Sequence, residues 1–295
     1  MNFADPKNDL AFKKIFGDSN HKNILISFLN SVLDFKDNHA IIDVSLANPY
    51  QIPKIPELKE TILDIKATNK KGDTFIVEMQ KKDLGDFTKR SLYYTSKAYT
   101  AQLPKGNNYT VLKKVYFIGI VNFTIFENSS FISRHLIINQ ETHTQDLNDF
   151  EFTFIELPKF TKELDELQTL LDKWIYFIKN ASDLTVIPAQ YEEITELKDA
   201  FDIATQTTWD KKELEVYEYM GLKEFDEINA LRTAKRKGEA IGEARGEARG
   251  EARGEARGRE EEKIAIAKNL LDILDTKTIA SKTGLSEAII ESLRR

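Results

Sequence analysis

Apolar residues recur at helical spacing near the N-terminus of the chain. Residues 9–16 and 24–33 each place apolar side chains on one helical face, with a break at 17–20. Short runs rich in β-branched residues follow, which is typical of strands. The predicted strands cover residues 41–46, 61–68, 74–80 and 115–126. A predicted helix at 86–102 lies between the last two strands. The predicted order is therefore helix, strand, strand, strand, helix, strand.

Beyond residue 126 the pattern becomes mainly helical. Residues 131–138 and 150–157 are strand-like, whereas helical spacing covers residues 164–179, 191–205, 211–220, 224–236 and 260–274. Residues 238–257 are of low complexity and contain four Gly-Glu-Ala-Arg units. The last twenty residues, 276–295, have the spacing of a helix-turn-helix, with Gly284 at the turn and Ser286 as a plausible N-cap.

These patterns predict an α/β fold with an αβββαβ core and a helical C-terminal region. The chain divides into an α/β domain at 1–157, a helical region at 158–237, the repeat at 238–259 as a linker or helix, and a small helical tail at 260–295. The strand at 115–126 is almost continuously apolar, which predicts burial on both faces of the sheet.

Composition places the chain among globular proteins and excludes several functional classes. Of the 295 residues, 41% are hydrophobic and 31% are charged, which is enough apolar material for a packed core. The sequence has no cysteine, which excludes disulfides, thiolate metal sites and a cysteine nucleophile. The longest apolar run, 11 residues at 116–126, is too short to span a bilayer, and the charged N-terminus is unlike a secretory signal. We expect a soluble, cytoplasmic protein with no membrane contact.

Charge is distributed unevenly, although the net charge is only −6. Residues 1–126 carry 18 Lys and Arg against 13 Asp and Glu, a balance of +5. The remaining residues carry 24 against 35, a balance of −11. A basic N-terminal part suits a polyanionic partner, whereas the acidic remainder would repel one.

The most informative segment is the pair of strands within residues 61–80. The loop Lys70-Lys71-Gly72 suits a type I turn closed by a bulge, because glycine adopts the positive φ that its last position requires. That turn sets a register in which Asp64 lies opposite Glu78. Like charges at opposed positions destabilise a sheet unless a cation lies between them.

Lys66 and Gln80 share the predicted face of these two carboxylates, one step along each strand. The segment thus brings together an acidic pair, an amide and a lysine. Two interpretations stay open from the residues alone. One is a cation-binding site, and the other is a solvated face on which Lys66 neutralises one carboxylate.

Four motifs in order resemble those of a known family. They are Asp-Pro-Lys-Asn-Asp-Leu-Ala-Phe-Lys-Lys-Ile-Phe-Gly (5–17), Ile-Leu-Asp-Ile-Lys-Ala (62–67), Val-Glu-Met-Gln (77–80) and Arg-Ser-Leu-Tyr-Tyr (90–94). Together they resemble the recombination-promoting nuclease family of transposase-like proteins, within the PD-(D/E)XK nuclease superfamily. The resemblance implies a restriction-endonuclease-like core and a metal-dependent DNA endonuclease that hydrolyses phosphodiester bonds.

Roles at the site are carried over from this resemblance by position. Asp64 and Glu78 correspond to the metal-binding acids, which would hold Mg²⁺, with Mn²⁺ or Ca²⁺ able to substitute in binding. Gln80 stands where many superfamily members have lysine, and it would orient the attacking water. Lys66 would supply the missing cation from the neighbouring strand. Asp9, at the start of the first helix, matches an accessory position.

Double-stranded DNA is the partner that the resemblance implies. The expected DNA contacts lie on the helix after the strand pair, at Arg90, Tyr94 and Lys97, with Arg90 suited to a bidentate bond to phosphate. Because Gln80 cannot stabilise negative charge as lysine does, an alternative stays open. The chain would then be a catalytically weak or inactive relative with the same fold that binds DNA or another protein.

The repeat and the tail each allow two interpretations. The repeat is either a linker or a surface for homo-oligomerisation, because its Gly and Ala residues let another helix approach and its Glu and Arg residues pair between chains. The tail either reads DNA or forms a small packing or partner-docking hairpin. Glu287 and Glu291 on its last helix argue against phosphate contacts.

Overall fold

The computed structural model describes residues 2–47, 50–51, 61–104 and 106–294. The chain divides into two compact units, Met1–Gly221 and Leu222–Arg295. The first unit contains every strand that the structure describes, and the second is helical.

The first unit is built on a mixed β-sheet. Its strands are β1 (Val44–Leu46), β2 (Tyr50–Gln51), β3 (Thr61–Ile62), β4 (Ile65–Asn69), β5 (Thr74–Gln80), β6 (Val115–Val121), β7 (Ile132–Leu136) and β8 (Phe150–Glu156). Six of them form one sheet in the order β1-β4-β5-β6-β8-β7, and β2 pairs separately with β3. Strands β5, β6 and β8 are parallel, and the other neighbours in the sheet are antiparallel.

Helices cover both faces of this sheet. Those that begin in the first unit are α1 (Asp9–Phe16), α2 (Lys22–Leu33), α3 (Phe87–Ala101), α4 (Leu170–Asn180), α5 (Ala189–Glu192), α6 (Thr195–Ala204) and α7 (Lys211–Leu270). Because α1 and α2 precede the sheet and α3 connects β5 to β6, the predicted α/β class and αβββαβ order are confirmed.

Alternate residues of the central strands contribute to two separate cores. On one face, Ile118 and its neighbours pack against α1, α2, α4 and α6. On the other face, Phe117 packs with Phe87 and Ala98 of α3. Every residue of β6 is buried, which confirms the prediction of a strand enclosed on both sides.

The turn between β4 and β5 has the predicted conformation. Gly72 has a φ of 90°, and its N–H donates to the Asn69 carbonyl at 3.0 Å. The strands pair Ile65 with Val77 and Thr68 with Thr74, which is the predicted register.

The N-terminal segment is bound to the end of α6. The Ala4 N–H donates to the Ala204 carbonyl at 2.7 Å, and Phe3 forms an antiparallel bridge with Thr205. The Asn8 side chain then caps α1 by accepting the N–H groups of the next helical turn, which satisfies donors that the helix itself leaves free. These bonds place the start of α1 relative to the sheet.

Helix α7 is longer than the sequence pattern predicts. The separate helices expected at 211–220, 224–236 and 260–274 join with the repeat into one 60-residue helix. No proline interrupts it, and each repeat glycine costs only about 1 kcal/mol relative to alanine, which is too little to end a helix.

The second unit ends in a small core of its own. Helices α8 (Thr276–Thr283) and α9 (Glu287–Leu293) pack Ile279 and Ile290 against Ala267 of α7. Gly284 has a φ of 71° after α8, and Ser286 caps α9, as the sequence predicts. Among the described residues, no helix has both the length and the apolar character needed to cross a membrane.

Candidate active site

The candidate active site lies at the end of β5, where the ladder to the preceding strand is interrupted. Strand β3 ends at Ile62 and β4 begins at Ile65, so Asp64 lies outside the regular ladder. The Met79 N–H donates to Asp64 Oδ2 at 2.8 Å, and the Asp64 N–H donates to Glu78 Oε1 at 3.1 Å. Carboxylate oxygens therefore accept backbone N–H groups across the strand pair and hold both acids in place.

The interruption also changes which face the strand presents. Leu63 packs with Ile76 on the α3 side, whereas Ile65 packs on the α1 side. Residues two apart on a regular strand share a face, yet Leu63 and Ile65 lie in different cores. The chain turns over at Asp64, which gives this side chain access to α1.

The two carboxyl groups are buried and electrostatically coupled. Burial raises the pKa of Asp64 to about 6; the hydrogen bond from Met79 opposes this rise and Asp9 adds to it. Burial, followed by the charge of Asp64, raises the pKa of Glu78 well above its usual value, and the positive charge of Arg90 opposes that rise. The pair is therefore a site that favours either a proton or a bound cation.

Helix α3 brings Arg90 to Gln80. Arg90 Nη2 donates to Gln80 Oε1 at 2.8 Å, while Arg90 Nε lies 3.1 Å from Asp86 Oδ1. Gln80 Nε2 donates to the Lys82 carbonyl at 3.1 Å. Both polar ends of the Gln80 amide are thus bonded within the protein, and the guanidinium lies next to the acidic pair.

The close approach of α3 depends on Gly119. This residue pairs with Glu78 across β5 and β6. A Cβ at position 119 would lie 2.8 Å from Cε1 of Phe87, the first residue of α3. Because Phe87 is buried, only glycine lets the helix pack at this distance from the sheet.

Tyr94 and Lys97 continue along α3 from Arg90. Tyr94 hydrogen-bonds with Arg90, and burial together with the charge of Glu78 raises the pKa of its phenol. Lys97 Nζ lies 5.8 Å from the ring centroid of Tyr93. The structure therefore brings Arg90 and Tyr94 to the carboxylate pair and places Lys97 further along the helix.

Helix α1 contributes a lysine that the sequence analysis did not single out. Lys13 Nζ lies 2.7 Å from Asp9 Oδ1 and 3.5 Å from Asp64 Oδ1. The i,i+4 spacing of Asp9 and Lys13 was the available signal. Lys66, in contrast, is half-buried, burial lowers its pKa, and no ion pair is seen for it among the described residues.

The donor set suits a hard divalent cation. Asp64 and Glu78 offer adjacent carboxylate oxygens, and Mg²⁺ is commonly bound by one or two carboxylates while it keeps several waters. In the described part of the chain, no group of three or more Asp, Glu, His or Cys residues is arranged to hold an ion. A site of two acids completed by water is the one that these residues fit.

Comparison with known proteins agrees with this geometry. The model of the PD-(D/E)XK nuclease family transposases matches residues 6–234, more than half of the chain, so the chain belongs to that family. The resemblance drawn from the four motifs is thereby confirmed, and family membership supports a nuclease-type function. The comparisons with curated proteins and with solved structures gave no match.

Proposed function

We propose that the chain is a metal-dependent endonuclease that hydrolyses phosphodiester bonds in double-stranded DNA. The observation that carries this proposal is a pair of hydrogen bonds across the two strands. The Asp64 N–H donates to the Glu78 carboxylate, and the Met79 N–H donates to the Asp64 carboxylate. Two buried carboxylates held side by side lower the stability of the fold unless they bind a cation. Family membership and the basic N-terminal part of the chain support DNA as the substrate.

Asp64 and Glu78 are the residues that would hold Mg²⁺. When bound there, the ion would polarise the phosphodiester and lower the pKa of an attacking water. Mn²⁺ or Ca²⁺ would substitute in binding, because both accept carboxylate oxygens. The buried setting of the acids strengthens their attraction for a cation, since charges interact more strongly away from water.

The remaining residues of the site would bind the DNA and orient the attacking water. Arg90 would donate to a phosphate oxygen, since its guanidinium lies at the acidic pair and offers two parallel donors. Gln80 keeps Arg90 in position through its hydrogen bond to the guanidinium. If the amide exchanged one of its two hydrogen bonds for a bond to water, it would orient the attacking water. Tyr94 and Lys97 would contact the DNA backbone along α3, and Asp9 would act from the start of α1 as an accessory acid.

One observation favours the alternative of a DNA-binding or protein-interaction relative without catalysis. Both polar ends of the neutral Gln80 amide are bonded within the protein. No charge at this position stabilises the phosphorane-like transition state, a task for which a positioned cation is effective.

Nicking of supercoiled plasmid decides between the two functions. We expect cleavage by the full chain with Mg²⁺ or Mn²⁺ and none with EDTA. Asp64→Asn and Glu78→Gln should each reduce the rate by at least about a hundredfold, as expected for loss of a group that acts on the transition state. The control Glu141→Gln removes an exposed carboxylate between β7 and β8 and should cleave as the wild type does. DNA binding without cleavage by any preparation would favour the alternative.

A further inference from the structure

A lysine lies on the α1 side of the acidic pair, opposite the arginine supplied by α3. Lys13 Nζ is within 3.5 Å of Asp64 Oδ1, and Asp9 holds the same ammonium at 2.7 Å. The helices that carry Lys13 and Arg90 pack on opposite faces of the sheet. The two acids are therefore approached by one cation from each layer.

The position of Lys13 is fixed by the packing of α1. Phe12, Ile15 and Phe16 are buried in the core beneath the sheet, and the Asn8 cap defines the first turn. About a third of the Lys13 side chain stays exposed (37%), so its ammonium is accessible from solvent. The packed helix therefore positions the charge of Lys13 at the edge of the site without burying it fully.

Among the residues that the structure describes, no other lysine takes this place at the site. Lys66 is half-buried, and no ion pair to a carboxylate is seen for it in the described residues. Gln80 is neutral, and its amide is bonded to Arg90 and to the Lys82 carbonyl. In the described part of the chain, the positive charge beside Asp64 on the α1 side is therefore that of Lys13.

We propose that Lys13 is a shared cation, which neutralises Asp64 in the metal-free protein and contacts a DNA phosphate when a divalent ion takes Asp64. The proposal rests on the function proposed above. An ammonium and a divalent cation that approach the same carboxylate repel each other. Ion binding at Asp64 would thus release Lys13 from one acid while Asp9 keeps it at the edge of the site, where a phosphate is the next available anion.

Two consequences distinguish this role from a surface ion pair. Removing the charge of Lys13 should make metal binding tighter, because a competing cation is lost. The same change should weaken DNA binding in the presence of metal and lower the slope of log Kd against log salt by about 0.9, the value for one phosphate contact. A simple Asp9–Lys13 pair on the helix surface would affect neither quantity.

The experiment uses Ca²⁺ as the metal and the full chain. Ca²⁺ binding is measured by calorimetry without DNA, and binding of a fluorescent duplex is measured by anisotropy in Ca²⁺ over a salt series. Lys13→Met keeps the aliphatic stem and removes the charge, and Lys13→Arg keeps the charge. The matched control is Lys71→Met, at an exposed lysine in the turn at the far end of the same strand pair.

We expect Lys13→Met to bind Ca²⁺ more tightly, by a factor on the order of ten, and to lose about 0.9 from the salt slope. Lys13→Arg and Lys71→Met should resemble the wild type in Ca²⁺ affinity. Unchanged Ca²⁺ affinity or an unchanged salt slope in Lys13→Met would overturn the proposal. Weaker Ca²⁺ binding would also overturn it, because the lysine would then position Asp64 rather than compete. If the wild type binds no Ca²⁺ at all, the function proposed above is wrong, and the proposed role of Lys13 is wrong as well.

Discussion

Glu78 accepts the backbone N–H of Asp64 at 3.1 Å, so the second acid of the site fixes the first. The Asp64 carboxylate in turn accepts the N–H of Met79, the residue after Glu78. Each acid is therefore oriented by the backbone of the other strand rather than by a flexible side chain. Such a support holds a pair of carboxylates close together even while they repel each other.

The pH dependence of stability should report this repulsion. The pKa of Asp64 is about 6 in the folded protein, above the usual value of about 4 in an unfolded chain. Between these values the folded state binds more protons, so the free energy of unfolding of the metal-free wild type should fall as pH rises from about 4 to about 6. Asp64→Asn removes this loss, and it should be the more stable protein at pH 8 by on the order of 1–3 kcal/mol.

Urea unfolding in EDTA at pH 4 and pH 8 measures this difference. At pH 4 the wild-type acid is largely neutral, and the two proteins should be nearly equal in stability. A wild type that is more stable than Asp64→Asn at pH 8 would contradict the predicted repulsion. Glu141→Gln, at an exposed acid, serves as the control: it keeps Asp64, so its free energy of unfolding should fall with rising pH as that of the wild type does.

Metal binding should stabilise the wild type selectively. An ion that binds only the folded state adds RT ln(1 + [L]/Kd), which is about 2.7 kcal/mol at a hundred times Kd. Asp64→Asn has lost one ligand and should gain much less from Mg²⁺. Thermal melts of both proteins with and without Mg²⁺, at fixed ionic strength, test this. An equal shift of Tm in both proteins would mean that the two acids do not share an ion.

Substitution of Gly119 should disturb the site without touching its charges. The methyl group of Gly119→Ala would lie 2.8 Å from the Phe87 ring, so α3 has to shift or its first residue has to repack. Overpacking of this kind costs roughly 1–3 kcal/mol. We expect a lower free energy of unfolding and, because α3 carries Arg90, a reduced cleavage rate. A second variant, Phe87→Leu in the Gly119→Ala background, should recover part of the stability if the clash is the cause.

Removal of residues 238–295 should leave a folded, active domain. All the residues proposed for the site precede residue 100, and the family match ends at residue 234. A chain that ends at Lys237 should keep its circular dichroism and its plasmid nicking. If the truncated protein folds but does not cut, the repeat or the tail contributes to the site or to a required oligomer. Sedimentation of the full and truncated chains shows whether the repeat associates, as one of its two interpretations predicts.

The strand pair was predictable because its information is local. The strand-like run at 74–80, the Gly72 turn and the acidic positions all lie within twenty residues, and a glycine with positive φ defines the register. The proximity of Asp64 to Glu78 follows when that register is extended by one residue beyond Ile65. The turnover at Asp64 did not follow, because it depends on which of two cores accepts the side chain of Leu63.

The contact of Lys13 with Asp64 could not be derived from spacing. The two residues are far apart in sequence, and their contact arises only when the apolar side of α1 packs beneath the sheet. Lys66 was the closer candidate along the chain, but strand position alone does not determine which lysine reaches the acids. The length of α7 was underestimated for a related reason, since glycine weakens a helix without ending it.

The bonds between the first residues and the end of α6 set the order in which the site can be completed during synthesis. Ala4 is tied to Ala204, and the Asp5 N–H donates to the Tyr217 hydroxyl at 2.8 Å. More than two hundred residues must therefore leave the ribosome before Ala204 and Tyr217 can bind the segment that precedes α1. A nascent or prematurely ended chain can form the strand pair that bears both acids, yet it lacks the support that brings Asp9 and Lys13 to them. Assembly of the complete site would therefore wait until residues 204 and 217 have emerged and bound the N-terminal segment.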